Sequence, residues 1–253
     1  MKEQSPHVIF EDNDFLILEK RANLITDKTN TTKKFYTLQD WIEENCDFAK
    51  NLDKDSYEQS SDFRKRAGLV HRLDKQTSGI IIVAKNEKSF NNLLLQFKEG
   101  VVKKTYIALC HGKVIPETGT ISAPVGRLSW NRIKFGVVPL GRESVTDYAV
   151  VKYYTLNHGK EEETVSLVEV YPKTGRTHQI RVHFHYLGFP IFADELYGGR
   201  KTIQKDKKFL RRHFLHAAKI SFLHPTTDKR VEFSSPLPVE LSAFLDSLKP
   251  AIL

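Results

Sequence analysis

The sequence of 253 residues lacks the features that define disulfide-rich, zinc-binding and membrane-spanning proteins. It contains two cysteines, and Cys46 and Cys110 are too few and too far apart for a cysteine-based zinc site or a disulfide scaffold. Its longest apolar runs, such as Gly79–Ala84, are far shorter than the roughly 20 residues of a membrane span. Signal-peptide, repeat and low-complexity patterns are also missing, which excludes solenoids and propellers. We therefore expect a cytoplasmic globular protein with no membrane partner.

Acidic residues are fewer than basic residues in this chain. The chain has 39 lysine and arginine residues against 31 aspartate and glutamate residues, a formal net charge of +8 and a pI near 9.3. This bias suits a polyanionic partner such as nucleic acid, although many basic proteins bind no polyanion. The segment from Glu43 to Asp62 is acidic by contrast and has little periodicity. It predicts a surface insertion over residues 43–66 that stays away from any RNA.

Hydrophobic periodicity predicts strands mixed with short helices. The continuous apolar run Gly79–Ala84 is typical of a buried central strand, and Thr37 followed by Asp40 predicts a capping box. The other expected elements are an opening hairpin (Val8–Phe10 and Phe15–Glu19), helices at Asn86–Gly100, Thr177–Leu187 and Val239–Leu248, and strands at Lys104–His111, Thr146–Tyr154, Thr164–Tyr171, Phe214–Leu223 and Arg230–Phe233. Strands outnumber helices without regular alternation. We predict an α+β fold in a single domain over residues 1–253, with a large mixed, mainly antiparallel β-sheet and flanking helices and loops.

Three segments carry residues suited to chemistry, and the first is HRLDKQTSG at residues 71–79. It precedes the buried strand, so it is predicted to be a loop projected from the sheet. Asp74 is its only carboxylate, and Arg72 stands two residues before it. One interpretation is an Asx-type turn that leads into the strand. The other is a reactive carboxylate with a neighbouring cation, as a site acting on RNA requires.

The second segment is PKTGRTHQIRVHFH at residues 172–185. If Thr177 caps the helix, His178, Arg181 and His185 lie on one face at i, i+3 and i+7, and Arg181 can reach inward. We interpret the histidines as surface or packed helix residues, because their spacing matches no standard metal-ligand set. A metal-dependent hydrolase that uses these histidines is the competing reading, and a chelator would test it.

The third segment is KKTYIAL at residues 103–109. Alternation along a strand places Lys104, Tyr106 and Ala108 on one face. A tyrosine in such a strand is usually a half-buried sheet residue. Alternatively, Tyr106 is an aromatic platform on which an unpaired base stacks.

These segments together resemble the RluA-type family of RNA pseudouridine synthases. HRLDKQTSG from His71, KKTYIALCHG from Lys103, the long segment at residues 172–199 and RRHFLHAAKISFLHP from Arg211 look like the family's motifs in the family's order. The resemblance covers about residues 8–235 and implies the pseudouridine synthase fold. An N-terminal S4-type domain is expected to be absent, since about six residues precede the hairpin.

Two departures from the family pattern stand out. Lys20-Arg21-Ala22-Asn23 replaces the family's Lys-Pro-x-Gly, which predicts a reshaped turn without the rigid proline. Ala193-Asp194 replaces the family's Gly-Asp.

The resemblance also implies roles for individual residues. Asp74 matches the nucleophilic aspartate, Tyr106 the aromatic residue that stacks on the flipped uracil, and Arg181 the arginine that pairs with the catalytic carboxylate. Arg72 matches the arginine that intrudes where the target base leaves the RNA. The expected substrate-binding set from these motifs is Arg72, His71, Thr77, Arg176, His178, Gln179 and His216.

The implied activity is the isomerisation of uridine to pseudouridine in ribosomal or transfer RNA by a monomer that flips the base and needs no cofactor and no metal. The alternative is a non-catalytic RNA-binding or ribosome-assembly protein on the same fold. A basic run at residues 200–212 supplies phosphate contacts in the first reading, or is a solvated loop.

Overall fold

The computed structural model describes residues 5–29, 32, 34–50, 61–131, 133–158 and 161–251. Among the helices of these ranges, none has the length and apolar character needed to cross a membrane. The strands are β1 (His7–Glu11), β2 (Phe15–Lys20), β3 (Ser78–Ala84), β4 (Lys103–His111), β5 (Thr118–Ser122), β6 (Val125–Arg127), β7 (Phe135–Val137), β8 (Val145–His158), β9 (Glu161–Pro172), β10 (Leu215–Leu223), β11 (Arg230–Ser234) and β12 (Lys249–Pro250). The helices are α1 (Leu38–Asn45), α2 (Asp47–Lys50), α3 (Asp62–Lys65), α4 (Glu87–Lys98), α5 (Gln179–Tyr186), α6 (Arg200–Asp206) and α7 (Val239–Ser247).

The chain forms two compact units. The first unit comprises Met1–Lys103 and Lys219–Ser235, and the second comprises Lys104–Ala218 and Pro236–Leu253. Strand β10 contributes residues to both units. The predicted α+β fold with a large, mainly antiparallel sheet is confirmed.

In the first unit, β1, β2 and β3 pair antiparallel, and β11 pairs antiparallel with β10. Successive residues of a strand face opposite sides of its sheet. Phe15 and Ile17 of β2 therefore belong to one buried cluster, whereas Leu16 and Leu18 belong to another. Strand β3 is buried at every position, which explains its continuous apolar run rather than an alternating pattern.

The predicted helix caps of the first unit are confirmed. Thr37 and Asp40 form a capping box at the start of α1. The Asn86 side chain caps α4 by accepting a hydrogen bond of 2.9 Å from the Ser89 N–H. Gly100 follows α4 with a φ of +72°, the left-handed conformation that ends many helices.

The second unit is built on β4, β9 and β8, which pair antiparallel. Ala108 of β4 packs in one buried cluster with Phe184 of α5, and its neighbour Leu109 packs in another with Phe244 of α7. The alternation along β4 thus places α5 and α7 against opposite faces of this sheet. The sequence did not predict β5, β12, the β6–β7 hairpin or the helical state of α6.

The predicted surface insertion lies partly outside the described residues, which omit residues 51–60. On either side of that gap, α2 and α3 each bury one apolar side chain. Ala49 is 3% exposed and packs against the cluster that contains Ile42, while Phe63 contacts the ring of Phe90 at a centroid distance of 5.7 Å. The flanks of this segment therefore contribute to the core of the first unit.

The turn after β2 has neither the proline nor the glycine of the family pattern. Asn23 stands where the family pattern has glycine, and its φ of +67° lies in the left-handed region. Asparagine tolerates this region better than most residues because its short side chain can hydrogen-bond locally. The backbone conformation that a glycine would supply is therefore kept.

We expect Asn23→Ala to lower the free energy of unfolding by about 1 kcal/mol, because an alanine Cβ is strained at this positive φ. Asn23→Gly should stay within roughly 0.5 kcal/mol of the parent, since Asn23 is exposed and glycine adopts this conformation without strain. Urea unfolding followed by circular dichroism measures both. Equal destabilisation by the two substitutions would show that the side-chain amide, and not the backbone conformation, stabilises the turn.

A buried histidine in the second unit connects β4 with α6. His111 Nδ1 lies 2.8 Å from Glu163 Oε1, and His111 Nε2 lies 3.0 Å from Asp206 Oδ2. Asp206 is fully buried and also accepts from the Ala193 N–H at 3.0 Å. Burial would lower the pKa of His111, but the hydrogen bonds to Asp206 and Glu163 outweigh it and raise the pKa to about 9. His111 is therefore protonated at neutral pH.

The free energy of unfolding should consequently fall as the pH rises from about 6.5 to about 9. The folded state holds the His111 proton across that window while the unfolded chain releases it near 6.5. The loss is at most roughly 3 kcal/mol and is complete above the folded-state pKa. Urea unfolding between pH 6 and pH 10 should give a flatter profile for His111→Gln than for the parent. His185→Gln, a change at an exposed histidine, is the control and should keep the parent's slope.

Candidate active site

In the first unit, the segment that carries Asp74 is a short loop between a paired segment and β3. Gly68 lies so close to β3 that a Cβ at this position would be 2.1 Å from the Ala84 carbonyl oxygen. After this close approach the chain leaves the sheet at His71 and returns at Ser78. The Thr77 N–H donates to the Asp74 carbonyl at 3.1 Å, which closes a turn around the predicted nucleophile. The Asp74 side chain is half-buried.

Two buried side chains hold the carbonyls on either side of Asp74, and the sequence had indicated neither. The Thr26 hydroxyl donates to the Leu73 carbonyl at 2.7 Å. The Lys20 amine donates to the Lys75 carbonyl at 3.2 Å and to the Leu24 carbonyl at 2.8 Å. Lys20 is completely buried, which is rare for a lysine. The backbone that presents Asp74 is therefore fixed one residue before it and one residue after it.

Arg72 lies on the exposed side of this loop. Its Nη1 contacts Asp27 Oδ2 at 3.1 Å, with 53% of the arginine side chain exposed. The amine of Lys75 lies 5.7 Å from the centre of the Phe35 ring, and 58% of Phe35 is exposed. Two cations and an aromatic ring thus border the predicted nucleophile on the surface of the first unit.

The predicted substrate contacts His71 and Thr77 also support the loop. His71 Nε2 accepts from the Ile82 N–H at 2.9 Å, and its ring lies 4.9 Å from the Phe97 ring. Thr77 is 2% exposed. Their role in binding substrate stays a prediction.

Tyr106 in the second unit lies on β4 opposite Val170 of β9. Its side chain is half-buried and packs against the cluster that contains Val170 and Phe184. Lys104, on the same face of β4, donates to the Thr174 carbonyl at 3.2 Å. One side of the strand therefore carries the predicted aromatic platform together with a cation that contacts the segment before α5.

Helix α5 begins at Gln179, one residue later than a Thr177 cap would place its start, so the assignment of Thr177 as its cap is wrong. The N-cap residue is His178, which has a left-handed φ of +57°. The reason lies in Gln179, whose Oε1 accepts from the Arg176 N–H at 2.9 Å and from the Thr174 hydroxyl at 2.7 Å. These bonds fold residues 174–178 into a turn, and His178 consequently precedes the helical face that holds Arg181.

Gln179 uses its whole side-chain amide inside the protein. Its Nε2 donates to the Val145 carbonyl at 3.0 Å and to the Thr146 hydroxyl at 2.9 Å, in addition to the two bonds its oxygen accepts. An amide offers two donors and two strong acceptor positions, so all four are occupied. In this structure Gln179 supports the turn that carries Arg176 and His178, and its predicted substrate contact stays untested.

Arg181 makes a buried, bidentate ion pair with Asp194. Its Nε lies 2.7 Å from Asp194 Oδ2, and its Nη2 lies 2.9 Å from Oδ1. Burial would raise the pKa of Asp194, but the arginine outweighs it and the pKa lies below its usual value. The arginine carbon Cζ also lies 5.1 Å from the centre of the Tyr197 ring. The Arg181 side chain is buried, so it reaches inward as predicted. It contacts Asp194, which the sequence analysis had named only as part of a departure from the family pattern, and Tyr197, to which it had given no role.

His178 and Arg176 flank the start of α5. His178 Nδ1 lies 2.9 Å from the Tyr197 hydroxyl oxygen, and Arg176 Nε donates to the Glu143 carbonyl at 3.2 Å. His216, the last of the predicted substrate-binding residues, is fully buried on β10. Within the second unit, the structure thus brings Arg176, His178 and Arg181 together around the beginning of one helix.

The helix histidines offer little to a metal ion. His183 is fully buried, and its two ring nitrogens lie 2.9 Å from the Thr146 hydroxyl and 3.1 Å from the Ala123 carbonyl. Burial lowers the pKa of His183. Among the residues that the structure describes, Asp12, Asp14 and His224 have ligand atoms close enough together to hold a metal ion. There His224 Nε2 contacts Asp12 Oδ2 directly at 3.0 Å.

The basic run after residue 199 begins with helix α6 (Arg200–Asp206) and continues beyond it. Its exposed residues include Arg200, Lys201, Lys205, Lys208 and Arg211. Arg212 is buried instead and contacts Glu240 at 2.9 Å. The run therefore offers exposed cations on α6 and after it, but not at Arg212, and its phosphate contacts stay a prediction.

The chain is similar to known RNA pseudouridine synthases in sequence and in fold. A family model described as RNA pseudouridylate synthase matches residues 14–186. An uncharacterized RNA pseudouridine synthase of Bacillus subtilis is 39% identical over 184 residues, which span 73% of this chain and 56% of that protein. A ribosomal large subunit pseudouridine synthase D of Blochmanniella floridana is 31% identical over 253 aligned residues, which span 96% of this chain and 73% of that protein. The solved structure of human RNA pseudouridylate synthase domain containing 1 is similar with a TM-score of 0.70 and 27% identity, over 99% of this chain and 90% of the human chain.

The buried amine of Lys20 generates a prediction about the Asp74 loop. We expect Lys20→Met to lower the free energy of unfolding by roughly 2–3 kcal/mol, because buried carbonyls lose their donor. Hydrogen exchange of the Thr77 amide, which donates to Asp74, should accelerate in this variant. Lys88→Met, at an exposed position of α4, is the matched control and should change stability by less than about 0.5 kcal/mol. An unchanged exchange rate at Thr77 in Lys20→Met would contradict the proposed support.

Proposed function

Because the chain belongs to the RNA pseudouridylate synthase family, we propose that it isomerises specific uridines of ribosomal or transfer RNA to pseudouridine. The observation that supports this most is the fixed loop around Asp74, whose neighbouring carbonyls are held by Thr26 and Lys20. A catalytic carboxylate must be held in its productive geometry by a rigid support. Family members are isomerases, and one similar protein is named as an enzyme of the large ribosomal subunit.

Asp74 is assigned as the nucleophile. The reaction breaks the C–N glycosidic bond, turns the uracil and rejoins it through carbon. A carboxylate can assist at the sugar by forming a covalent adduct, by stabilising positive charge at C1′, or by removing a proton. Each of these routes uses only the ionised side chain of Asp74, so no redox or metal cofactor is part of the proposal.

Tyr106, Arg72 and Arg181 complete the proposed machinery. The target uridine must leave its stack, which costs a few kcal/mol and is offset by stacking on an aromatic ring and by filling of the vacated space. Tyr106 supplies the ring, and the exposed Arg72 fills the space. Arg181 is the arginine that the family resemblance pairs with the catalytic carboxylate, and its own guanidinium is oriented by Asp194.

RNA is the proposed partner, and the cytoplasm, where ribosomal and transfer RNA are assembled in bacteria, is the proposed compartment. The exposed cations of α6, among them Lys201 and Lys205, suit contacts with the phosphate backbone. A non-catalytic RNA-binding protein on the same fold would need these cations equally. It would have no need for a rigidly supported carboxylate that faces a polyanion.

We predict that Asp74→Asn abolishes pseudouridine formation, with a rate loss of roughly 10³-fold or more, because the shape is kept while the nucleophile is removed. RNA affinity and the unfolding midpoint should stay close to those of the parent. Asp62→Asn, at an exposed aspartate of the same unit, is the control and should keep full activity.

The proposed activity and the role of Asp74 can also be tested in cells on the natural RNA. Carbodiimide sequencing of RNA from a strain that lacks the protein identifies the missing pseudouridine. A plasmid with the parent gene should restore that site and a plasmid with Asp74→Asn should not. Restoration by the Asn variant would show that Asp74 is not the nucleophile, and an unchanged modification pattern in the deletion strain would contradict the proposed activity.

The role of Tyr106 can be separated from its packing. Tyr106→Phe should keep activity within roughly threefold, because the aromatic face survives. Tyr106→Leu should keep the packing against Val170 but lower turnover by about 10- to 100-fold, in line with about 1–3 kcal/mol for stacking on one base. Single-turnover assays at saturating enzyme measure both variants. Full activity of Tyr106→Leu would return Tyr106 to the role of an ordinary sheet residue.

A further inference from the structure

Phe35 is an exposed aromatic residue beside the loop that carries Asp74. Its side chain is 58% exposed, the highest value among the described large apolar side chains of the first unit. The amine of Lys75, the residue after Asp74, lies over its ring at 5.7 Å from the centre. A cation within about 6 Å of the centre of an aromatic face makes a favourable cation–π contact. A largely exposed ring is thus held against the residue that follows the proposed nucleophile.

The segment that contains Phe35 is anchored to the loop of the proposed nucleophile. The Thr26 hydroxyl donates to the Leu73 carbonyl at 2.7 Å, and the Gln39 N–H donates to the Thr26 carbonyl at 3.0 Å. The Phe35 N–H donates to the Thr32 carbonyl at 2.8 Å. Hydrogen bonds therefore fix both ends of the segment and the backbone of Phe35 itself. A ring on a fixed backbone loses little conformational freedom when a ligand binds to it.

The same segment makes a second contact with that loop through Asp27. Its Oδ2 lies 3.1 Å from Nη1 of Arg72, an ion pair in which 53% of the arginine side chain is exposed. The segment therefore contacts the loop both before and after the proposed nucleophile. Lys34 and Lys75 are exposed as well. Three exposed cations thus belong to the segment and the loop that carry the Phe35 ring between them.

This combination of groups fits an unpaired stretch of nucleic acid. Aromatic rings bind unpaired bases by stacking, and neighbouring cations bind the phosphates of the same strand. Bases inside a duplex are already stacked on one another, so they offer no face to an exposed ring. The half-buried ring of Tyr106 is assigned to the target uracil in the proposed function. The base that fits Phe35 is therefore a different one.

We propose that Phe35 is a substrate-binding residue: its ring stacks on an unpaired base that flanks the target uridine, while Lys75 binds a phosphate of the same strand. This inference rests on the proposed function, and it deepens that function by placing the target uridine in a single-stranded segment of the RNA. Stacking on an aromatic ring tolerates every base, so Phe35 selects for unpaired structure and not for sequence.

The first test measures binding without any assay of activity. Fluorescence anisotropy of labelled decauridine should show about tenfold weaker binding for Phe35→Leu than for the parent, because leucine has no aromatic face. Phe35→Tyr keeps the face and should stay within about twofold of the parent. A blunt RNA duplex of similar length should bind the parent and Phe35→Leu equally. Phe10→Leu, at another exposed phenylalanine of the same unit, is the matched control and should bind decauridine as the parent does.

Three results of this test would overturn the proposal. The first is equal affinity of the parent and Phe35→Leu for decauridine. The second is an equal loss for decauridine and for the duplex, since a duplex has no base free to stack. The third is a parent that does not bind decauridine, because stacking on a ring does not depend on the identity of the base. Unfolding midpoints of the variants show that the folded proteins are compared.

The salt dependence of binding separates the ring from the cation. Each phosphate contact on a single strand contributes about 0.7 to the slope of log affinity against log salt. Lys75→Gln should flatten this slope by about that amount, whereas Phe35→Leu removes no charge and should leave it unchanged. An unchanged slope in Lys75→Gln would overturn the phosphate contact. A flattened slope in Phe35→Leu would overturn the stacking, because the ring would then act only as a support for Lys75.

A mutant cycle between protein and RNA identifies the stacked base. An RNA that the protein modifies is synthesised with an abasic nucleotide at one position beside the target uridine. At the stacked position, the abasic RNA should bind the parent and Phe35→Leu equally, because both forms then lack the same contact. At other positions the difference of about tenfold should persist. A difference that persists at every neighbouring position overturns the assignment to a flanking base.

Turnover assays separate failure of this inference from failure of the proposed function. Phe35→Leu should raise KM about tenfold and keep kcat within about twofold, since it removes binding that is equal in the ground state and the transition state. A parent that forms no pseudouridine contradicts the proposed function, and the decauridine and duplex probes still decide the role of the ring. A parent that is active while Phe35→Leu matches Phe10→Leu leaves the function in place and overturns the role of Phe35.

Discussion

The amine of Lys20 is the contact on which the presentation of Asp74 depends. Lys20 ends β2 opposite Gly79 at the start of β3, and its side chain reaches back to carbonyls on both of its neighbouring turns. Carbonyls at the end of a sheet cannot all pair with strands, and unpaired buried carbonyls are costly. A single ammonium group has three donors and satisfies several of them at once. Burial of the lysine cation costs free energy, and the oxygen ends of these carbonyl dipoles offset part of that cost.

Much of the fold could be predicted from the sequence because local signals and packing agree there. Strand β3 is buried on both faces and is a continuous apolar run, and the caps of α1 and α4 use side chains three residues from their partners. The start of α5 is different. Thr177 is a good cap by propensity, but the oxygen of the Gln179 amide binds the preceding turn. The nitrogen of the same amide is anchored by Val145 and Thr146, far away in sequence.

The residues of the proposed site differ in the same way in how far the sequence predicts them. Asp74, Tyr106 and Arg181 could be proposed as site residues because they belong to ordered motifs of the family that the sequence resembles. Their supports, such as Thr26 and Asp194, are ordinary polar residues whose importance comes from where the chain brings them. No spacing rule connects Thr26 with Leu73 or Arg181 with Asp194. Such pairs exist only once the chain has folded. The resemblance therefore implied roles for Asp74, Tyr106 and Arg181, whereas the contacts of Thr26 and Asp194 required the structure.

The pairing of Arg72 with Asp27 has a consequence for how the surface meets a polyanion. The contact is exposed, and exposed ion pairs contribute about 0–1 kcal/mol and weaken as salt screens them. The ion pair therefore holds Arg72 only weakly beside the Asp74 loop. An anion that approaches can compete with the Asp27 carboxylate for the Arg72 guanidinium. The contact with Asp27 keeps the long, flexible side chain of Arg72 near the Asp74 loop. The side chain therefore samples fewer positions in solvent before a ligand binds.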